Sequence, residues 1–204
     1  MAVITIGAAA TDRADYSSGT NVNIGGPADG TGTITSIEIW ITQTTTIEAA
    51  TFIDEGSNVL STRDYESLGS VTGGSKQTIS GLSIDVQTGD YIGSHGSFTF
   101  AGIEYDTSGG SGKWRTTGDS IPASSVTFTL TADAVVSLYG TGETAPEIPT
   151  GTVHLNKTTG EHTQDTGQTP LRYNKATGEV TTLSTVSDYL VLDKATGKLK
   201  SSAT

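Results

Sequence analysis

The sequence contains no cysteine, so neither a disulfide framework nor a thiolate metal site is open to it. It is also poor in grease: hydrophobic residues make up 33% of the 204 residues and aromatics 6%. A chain of this length can still bury a core without covalent staples, so the missing cysteine says little about compartment. No apolar run approaches the roughly 20 residues a bilayer-spanning helix needs. The start, Met1 to Gly7, lacks a basic segment followed by an apolar one, so no secretory signal is expected. Stretches of Leu, Ala, Glu and Lys with a 3.6-residue period are missing, which removes the usual signature of helices. Basic residues are scarce: 11 Lys and Arg stand against 22 Asp and Glu, giving a net charge of −11. That balance argues against nucleic acid and anionic membrane as partners, because both require basic patches.

What the chain does have is glycine, at 26 residues, and threonine. Threonine suits a pleated strand because its branched Cβ packs well there, and glycine supplies turns. Charge is spread unevenly. Met1 to Ile148 carries 5 Lys and Arg against 17 Asp and Glu, whereas Pro149 to Thr204 carries 6 against 5. Between the two halves, Gly140-Thr-Gly-Glu-Thr-Ala-Pro-Glu-Ile-Pro-Thr-Gly151 holds two prolines and no apolar period, the composition of an extended spacer. The expected organisation is a domain over 1–141, a linker over 142–151 and a second region over 152–204.

The first region reads as a series of short strands. In TITSIEIWIT, Thr33 to Thr42, alternation places Ile37, Ile39 and Ile41 on one face and Ser36, Glu38 and Trp40 on the other. Further strands are expected at 3–6, 49–53, 67–72, 77–82, 91–93, 97–100, 103–105, 126–130 and 135–139. Turn clusters separate them at Asp54–Asn58, Thr72–Ser75, Gln87–Asp90 and Thr107–Gly112. Many short strands at this spacing predict an all-β fold, an antiparallel β-sandwich of jelly-roll type.

The last region contains an internal repeat. Leu155-Asn-Lys-Thr-Thr-Gly-Glu161, Tyr173-Asn-Lys-Ala-Thr-Gly-Glu179 and Leu192-Asp-Lys-Ala-Thr-Gly-Lys198 share one pattern. Each unit reads as strand, turn, strand: Asn or Asp opens the turn and Gly closes it. An isolated two-stranded hairpin is marginal in water, and large apolar residues are few here. These hairpins are therefore expected to be ordered against something else: the first domain, a symmetry mate or a larger assembly.

At ITSIEIW, EAATF, GSVTGGSKQTISGLSIDVQTGDYIG, IEYDTSGGSGKW and VSLYGTG, the first region resembles a β-sandwich module of phage and environmental viral proteins. The Asn-Lys-x-Thr-Gly-Glu units are similar to short hairpin repeats of phage fibre and tail proteins. The resemblance brings no catalytic or ligand residues with it. It implies a structural component of a bacteriophage particle: capsid decoration, head fibre or tail appendage. The surroundings it implies are the virion surface, other virion proteins as partners, and a homo-oligomer, with a trimer favoured.

Chemistry-bearing residues are sparse. His154 and His162 flank one repeat turn and would face each other across a hairpin, a pair that could bind a transition metal on a trimer axis; exposed cross-strand polar residues are the simpler account. His95 stands without a nucleophile motif. Gly110-Ser-Gly-Lys113 looks superficially like a phosphate loop. Thr107 occupies the position of its first glycine, however, and Trp114 that of its hydroxyl residue, so a glycine-rich loop between strands is expected. Carboxylates gather at Asp54-Glu55, Asp64 and Glu66, Asp85 and Asp90, and Glu104 and Asp106. Calcium is one use of such loops, but none has EF-hand spacing and solvated acidic loops are expected instead. Glycosidase geometry for any carboxylate pair is not legible in a sequence, although only Trp40 and Trp114 are available to line a sugar groove. Asn156-Lys-Thr158 fits the glycosylation pattern by chance in a viral setting.

One constellation suggests a ligand. Trp114, Tyr105 and Arg115, with Tyr65, form a possible sugar-stacking patch, weighed against ordinary sheet packing. The expectations are then a non-enzyme without cofactor or metal, structural in the particle. The alternative is a carbohydrate-binding or host-receptor-binding adhesin module.

Overall fold

The computed structural model describes residues 2–97 and 101–144 in full. Beyond them it describes the backbone of six strands, at 153–155, 162–164, 171–174, 179–182, 189–193 and 198–202. The chain divides into two compact units, Met1–Glu147 and Ile148–Thr204. Every regular element among the described residues is a β-strand, and every pairing is antiparallel.

In the first unit the strands are β1 (Val3–Ala8), β2 (Asp15–Ser17), β3 (Thr20–Asn23), β4 (Gly32–Trp40), β5 (Thr45–Asp54), β6 (Val59–Val71) and β7 (Lys76–Val86). They continue with β8 (Tyr91–Gly96), β9 (Ile103–Asp106), β10 (Lys113–Thr116), β11 (Val126–Thr127), β12 (Thr129–Thr131), β13 (Val135–Val136) and β14 (Leu138–Thr144). Three sheets result. One is four-stranded in the order β1-β14-β4-β7, one seven-stranded in the order β11-β6-β5-β8-β3-β10-β12, and one three-stranded in the order β13-β9-β2.

The seven-stranded sheet almost closes on itself. Its two outermost members, β11 and β12, are consecutive pieces of one chain segment separated by Phe128. Val126 and Thr127 pair with Leu60 and Val59 of β6, while Thr129 to Thr131 pair with β10. Closure removes the sticky edges that an open sheet would leave. The interior is filled by Val22 from β3, Ala50 and Phe52 from β5, Leu60 from β6, Trp114 from β10 and Phe128 from the closing segment. Phe52 and Phe128 meet edge to face at 6.0 Å. Gly93 of β8 is required here: a Cβ at that position would sit 2.7 Å from both Phe52 and Val22.

The other side of the β6-β5-β8 wall faces the four-stranded sheet. Ile47 and Ala49, Leu68 and Val71, and Ile92 pack on Ile4 and Ile6, the β4 isoleucines and Leu82, Ile84 and Val86. Strand β5 thus serves two cores, with Ala49 facing the sheet and Ala50 the barrel. Along β4 and the residue that follows it, Ile37, Ile39 and Ile41 are fully buried on one face, as alternation predicts. Ile34 joins them despite lying three residues from Ile37, because a bulge between Ile34 and Ser36 resets the parity.

The all-β antiparallel class is present; the strand order is that of a nearly closed sheet with a smaller sheet against one wall. The four turn clusters read from the sequence each join consecutive strands, the first beginning at Asp54, the last residue of β5. Two details differ from expectation. Strand β14 runs through Thr144, so residues 142–144 are sheet, not linker: Gly142, Glu143 and Thr144 pair with Ile34, Thr33 and Gly32. The strand expected at 97–100 does not begin at Ser97, where β8 has already ended, and residues 98–100 lie outside the described set.

The second unit contains β15 (Val153–Leu155), β16 (His162–Gln164), β17 (Leu171–Asn174), β18 (Glu179–Thr182), β19 (Tyr189–Asp193) and β20 (Lys198–Ser202). β15 pairs with β16, and the rest form a sheet in the order β17-β18-β19-β20. Each repeat therefore spans the turn of one antiparallel pair. His154 and His162 are not register partners: His154 pairs with Thr163 and His162 with Leu155. The expected facing pair is displaced by one register position. The glycosylation pattern at Asn156–Thr158 lies outside the described residues.

Candidate functional site: a cationic cleft against the barrel wall

Strand β10 alternates polar, apolar, polar in Lys113-Trp114-Arg115. Period-two geometry must send Trp114 one way and the two cations the other. Trp114 goes into the barrel. It is 6% exposed, donates its indole N–H to Asn58 Oδ1 at 2.8 Å and meets Tyr91 edge to face at 5.0 Å. Lys113 and Arg115 face outward, towards the small sheet that carries β2 and β9. Between them lies an open cleft of about 350 Å³, lined by Lys113, Arg115, Tyr105, Tyr16, Ser17, Ser18 and Thr131.

The cleft is held by a network around Asn21 of β3, which is fully buried. Asn21 Nδ2 lies 3.3 Å from the carbonyl oxygens of Ser17, Ser18 and Gly19, pinning the β2–β3 turn. Its Oδ1 accepts from Lys113 Nζ at 3.3 Å. Arg115 grips the same turn: Nε donates to the Ser18 carbonyl at 2.9 Å and Nη2 to Ser18 Oγ at 3.3 Å. Gly19 makes this close approach possible. Its φ is +80°, and a Cβ there would run into the Thr116 carbonyl.

Lys113 is the unusual member. It is 2% exposed, with Nζ 3.2 Å from the centroid of the Tyr105 ring, a cation–π contact. Burial pushes its ammonium down to about 7; the nearby Arg115 charge adds to this and Asp15 opposes it. Among the described residues no carboxylate lies within salt-bridge distance of Lys113 or Arg115.

Of the patch expected from sequence, Tyr105 and Arg115 do come together in this cleft. Trp114 does not: strand parity turns it into the core, where its ring cannot stack on a ligand. Tyr65 is 45% exposed on β6 and is not part of the cleft lining. Sequence reasoning passed over Lys113, Tyr16, Ser17, Ser18 and Thr131. The polar–apolar–polar alternation around Trp114 was the available signal for Lys113.

The carboxylate clusters are used within the fold. Asp54 Oδ1 accepts from Gly56 N, Asp64 Oδ2 from Asp85 N and Glu66 Oε2 from Ser83 N, while Asp90 binds Arg63 through both oxygens. Glu104 and Asp106 both engage Arg13. Among the described residues, no group of three or more His, Asp or Glu side chains could hold a metal ion. In the Gly110–Lys113 loop, the Gly110 and Gly112 N–H groups donate to the carbonyls of Asp133 and Ala134, so neither points at open solvent for a phosphate. His95 hydrogen-bonds Thr20 through Nδ1 at 3.3 Å, away from the cleft lining.

The arrangement can bind: it presents aromatic rings, two cations and several hydroxyls, and its lining holds no carboxylate. Lys113, pushed down to about 7, is a lining group that can exchange a proton near neutral pH. Comparison with family models, with curated proteins and with solved structures finds no match for the chain.

Proposed function

We propose that the chain is a non-enzymatic surface component of a bacteriophage particle, whose first unit contacts host glycan through the cleft beside β10. The observation that carries the reading is the cleft itself. Tyr105, Tyr16, Lys113, Arg115 and the hydroxyls of Ser17, Ser18 and Thr131 offer ring faces and hydrogen-bonding groups, with no carboxylate in the lining. The repeated hairpins at residues 153–202 support a docking or trimerising role for the second unit, because short hairpins gain stability chiefly by stacking on partners. The uneven charge of the two regions agrees with an acidic part facing solvent and a near-neutral part facing other virion proteins. In this reading, the four-stranded sheet stacked on the β6-β5-β8 wall corresponds to the jelly-roll-type sandwich of the phage modules the sequence resembles.

Two measurements test it. Light scattering of the full chain and of residues 1–147 should give an oligomer and a monomer respectively. A glycan array probed with the full chain should show binding that Arg115→Gln removes. A monomeric full chain that binds no host glycan would contradict both halves of the proposal.

A further inference from the structure

We infer that the cleft beside β10 is an anion site, and that the group it takes is the carboxylate of an acidic saccharide. The sugar ring rests on the glycan reading above; the anion rests on charge placement alone.

The first unit carries 5 cationic side chains among 17 acidic ones. Arg13 pairs with Asp106 at 2.8 Å, Arg63 with Asp90, and Lys76 with Glu38 at 3.1 Å. The two cations left without a carboxylate, among the described residues, are Lys113 and Arg115. They stand two residues apart on one face of β10, and both line the same cleft. In so acidic a molecule, unpaired cations would ordinarily be the first to find a partner. A buried ammonium without a counter-charge is costly, and an incoming anion completes the arrangement.

The geometry suits a planar, two-oxygen group attached to something with hydroxyls. The guanidinium of Arg115 is fixed by two of its nitrogens on Ser18, so its plane is set before a ligand arrives. Lys113 is held between Asn21 Oδ1 and the Tyr105 ring. Tyr16, 53% exposed, offers a ring face at the mouth.

Proton uptake follows. Free of ligand, Lys113 titrates at about 7 because of burial first and Arg115 second. An anion beside it favours the charged form, so binding is stronger below that pH and weakens above it. The charged and titratable groups facing Lys113 are Tyr105 on β9, Arg115 on β10, and Asp15 and Tyr16 on β2. Glu104 and Asp106, on either side of Tyr105, are engaged by Arg13. The one imidazole of the first unit, His95, does not line the cleft, so His95→Gln should leave the pH dependence in place.

Calorimetric titration of the full chain with galacturonate, galactose and acetate tests this, since the two sugars differ only in the carboxylate. At pH 6 galacturonate should bind at least about tenfold more tightly than either galactose or acetate. Its affinity should fall about tenfold between pH 6 and pH 8, following the protonated fraction of a group titrating near 7. Lys113→Met should abolish both the discrimination and the pH dependence while the thermal midpoint holds or rises. Should that variant not fold, Arg115→Gln should remove the preference for galacturonate by itself. Equal binding of galactose and galacturonate would overturn the anion site and leave the glycan reading intact. Binding of acetate and galacturonate alike, with no contribution from the ring, would keep the anion site and remove the saccharide. No binding of any of the three would overturn both.

Discussion

The Lys113 ammonium rests over the Tyr105 ring, 3.2 Å from its centroid, in a position where almost no water reaches it. The contact offsets part of the cost of burial, but no carboxylate completes it. The consequence is a stability that depends on pH with a definite sign. The folded-state value of about 7 lies below the ordinary 10.5, so the unfolded chain holds more protons between those limits and stability rises with pH across them. Below pH 7 the fold carries a charged, desolvated ammonium. Lys113→Met should therefore raise the thermal midpoint at pH 6, on the order of 5 °C, and change it little at pH 10. Scanning calorimetry at the two pH values measures the difference. A residue whose removal stabilises the fold while abolishing binding is the signature of a functional position.

Closure of the seven-stranded sheet depends on Phe128. It is the buried residue between β11 and β12, and its backbone N–H donates to Asn58 O at 2.8 Å. Phe128→Ala should cost about 3–5 kcal/mol, the usual range for emptying an aromatic site in a packed core. Gly93→Ala should cost about 1–3 kcal/mol by overfilling the same interior beside Phe52. Urea unfolding followed by tryptophan fluorescence reads both, since Trp114 lies in that cluster.

Arg13 ties the segment before β2 to the small sheet. Its Nε donates to Ser137 Oγ, Nη1 to Asp106 Oδ2 and Nη2 to the Ala9 carbonyl, at 2.8, 2.8 and 3.0 Å. Arg13→Ala should destabilise the fold by about 1.5–3 kcal/mol, measured by urea unfolding at pH 7.

Two carboxylates of that cluster respond to pH with opposite signs. Hydrogen bonds from Ala14 N and the Arg13 side chain hold Asp106 below its usual range, so its contribution is present at neutral pH and is lost as pH falls through its folded value. Burial pushes Glu104 up, so its charged form is a burden above that range and stability falls as pH rises through it. Glu104→Gln should raise the midpoint at pH 7 by a few degrees, with the gain shrinking towards pH 4; a thermal melt series across that interval checks it.

The four-stranded sheet is partly legible in the sequence. Alternation in Thr33–Thr42 gave the buried isoleucines of β4 directly, because one face of that strand is wet and the other dry. Strands β2, β3 and β10 carry no clear strand pattern because their residues, Asp15-Tyr-Ser17, Thr20-Asn-Val-Asn23 and Lys113-Trp-Arg-Thr116, are mostly polar. Their polarity reflects the hydrogen-bonded cleft they build: Asn21 is fully buried, yet reads in sequence as a turn residue. Residue type alone puts Trp114 in a ligand patch with Tyr105 and Arg115; the alternation in Lys113-Trp-Arg115 turns Trp114 into the core and leaves Tyr105 and Arg115 lining one cleft. The glycines that precede Lys113 give its position the pattern of a loop. The closing of the sheet through Phe128 depends on a long-range pairing with β6 that no local pattern announces.

The most direct measurement is the titration of Lys113 itself, followed by NMR at its ε carbon in the full chain with and without galacturonate. The account predicts a midpoint near 7 in the free protein, assigned by its disappearance in Lys113→Met, and a clear upward displacement when the acidic sugar is added. A midpoint near the ordinary lysine value of about 10.5, unmoved by galacturonate, would contradict it.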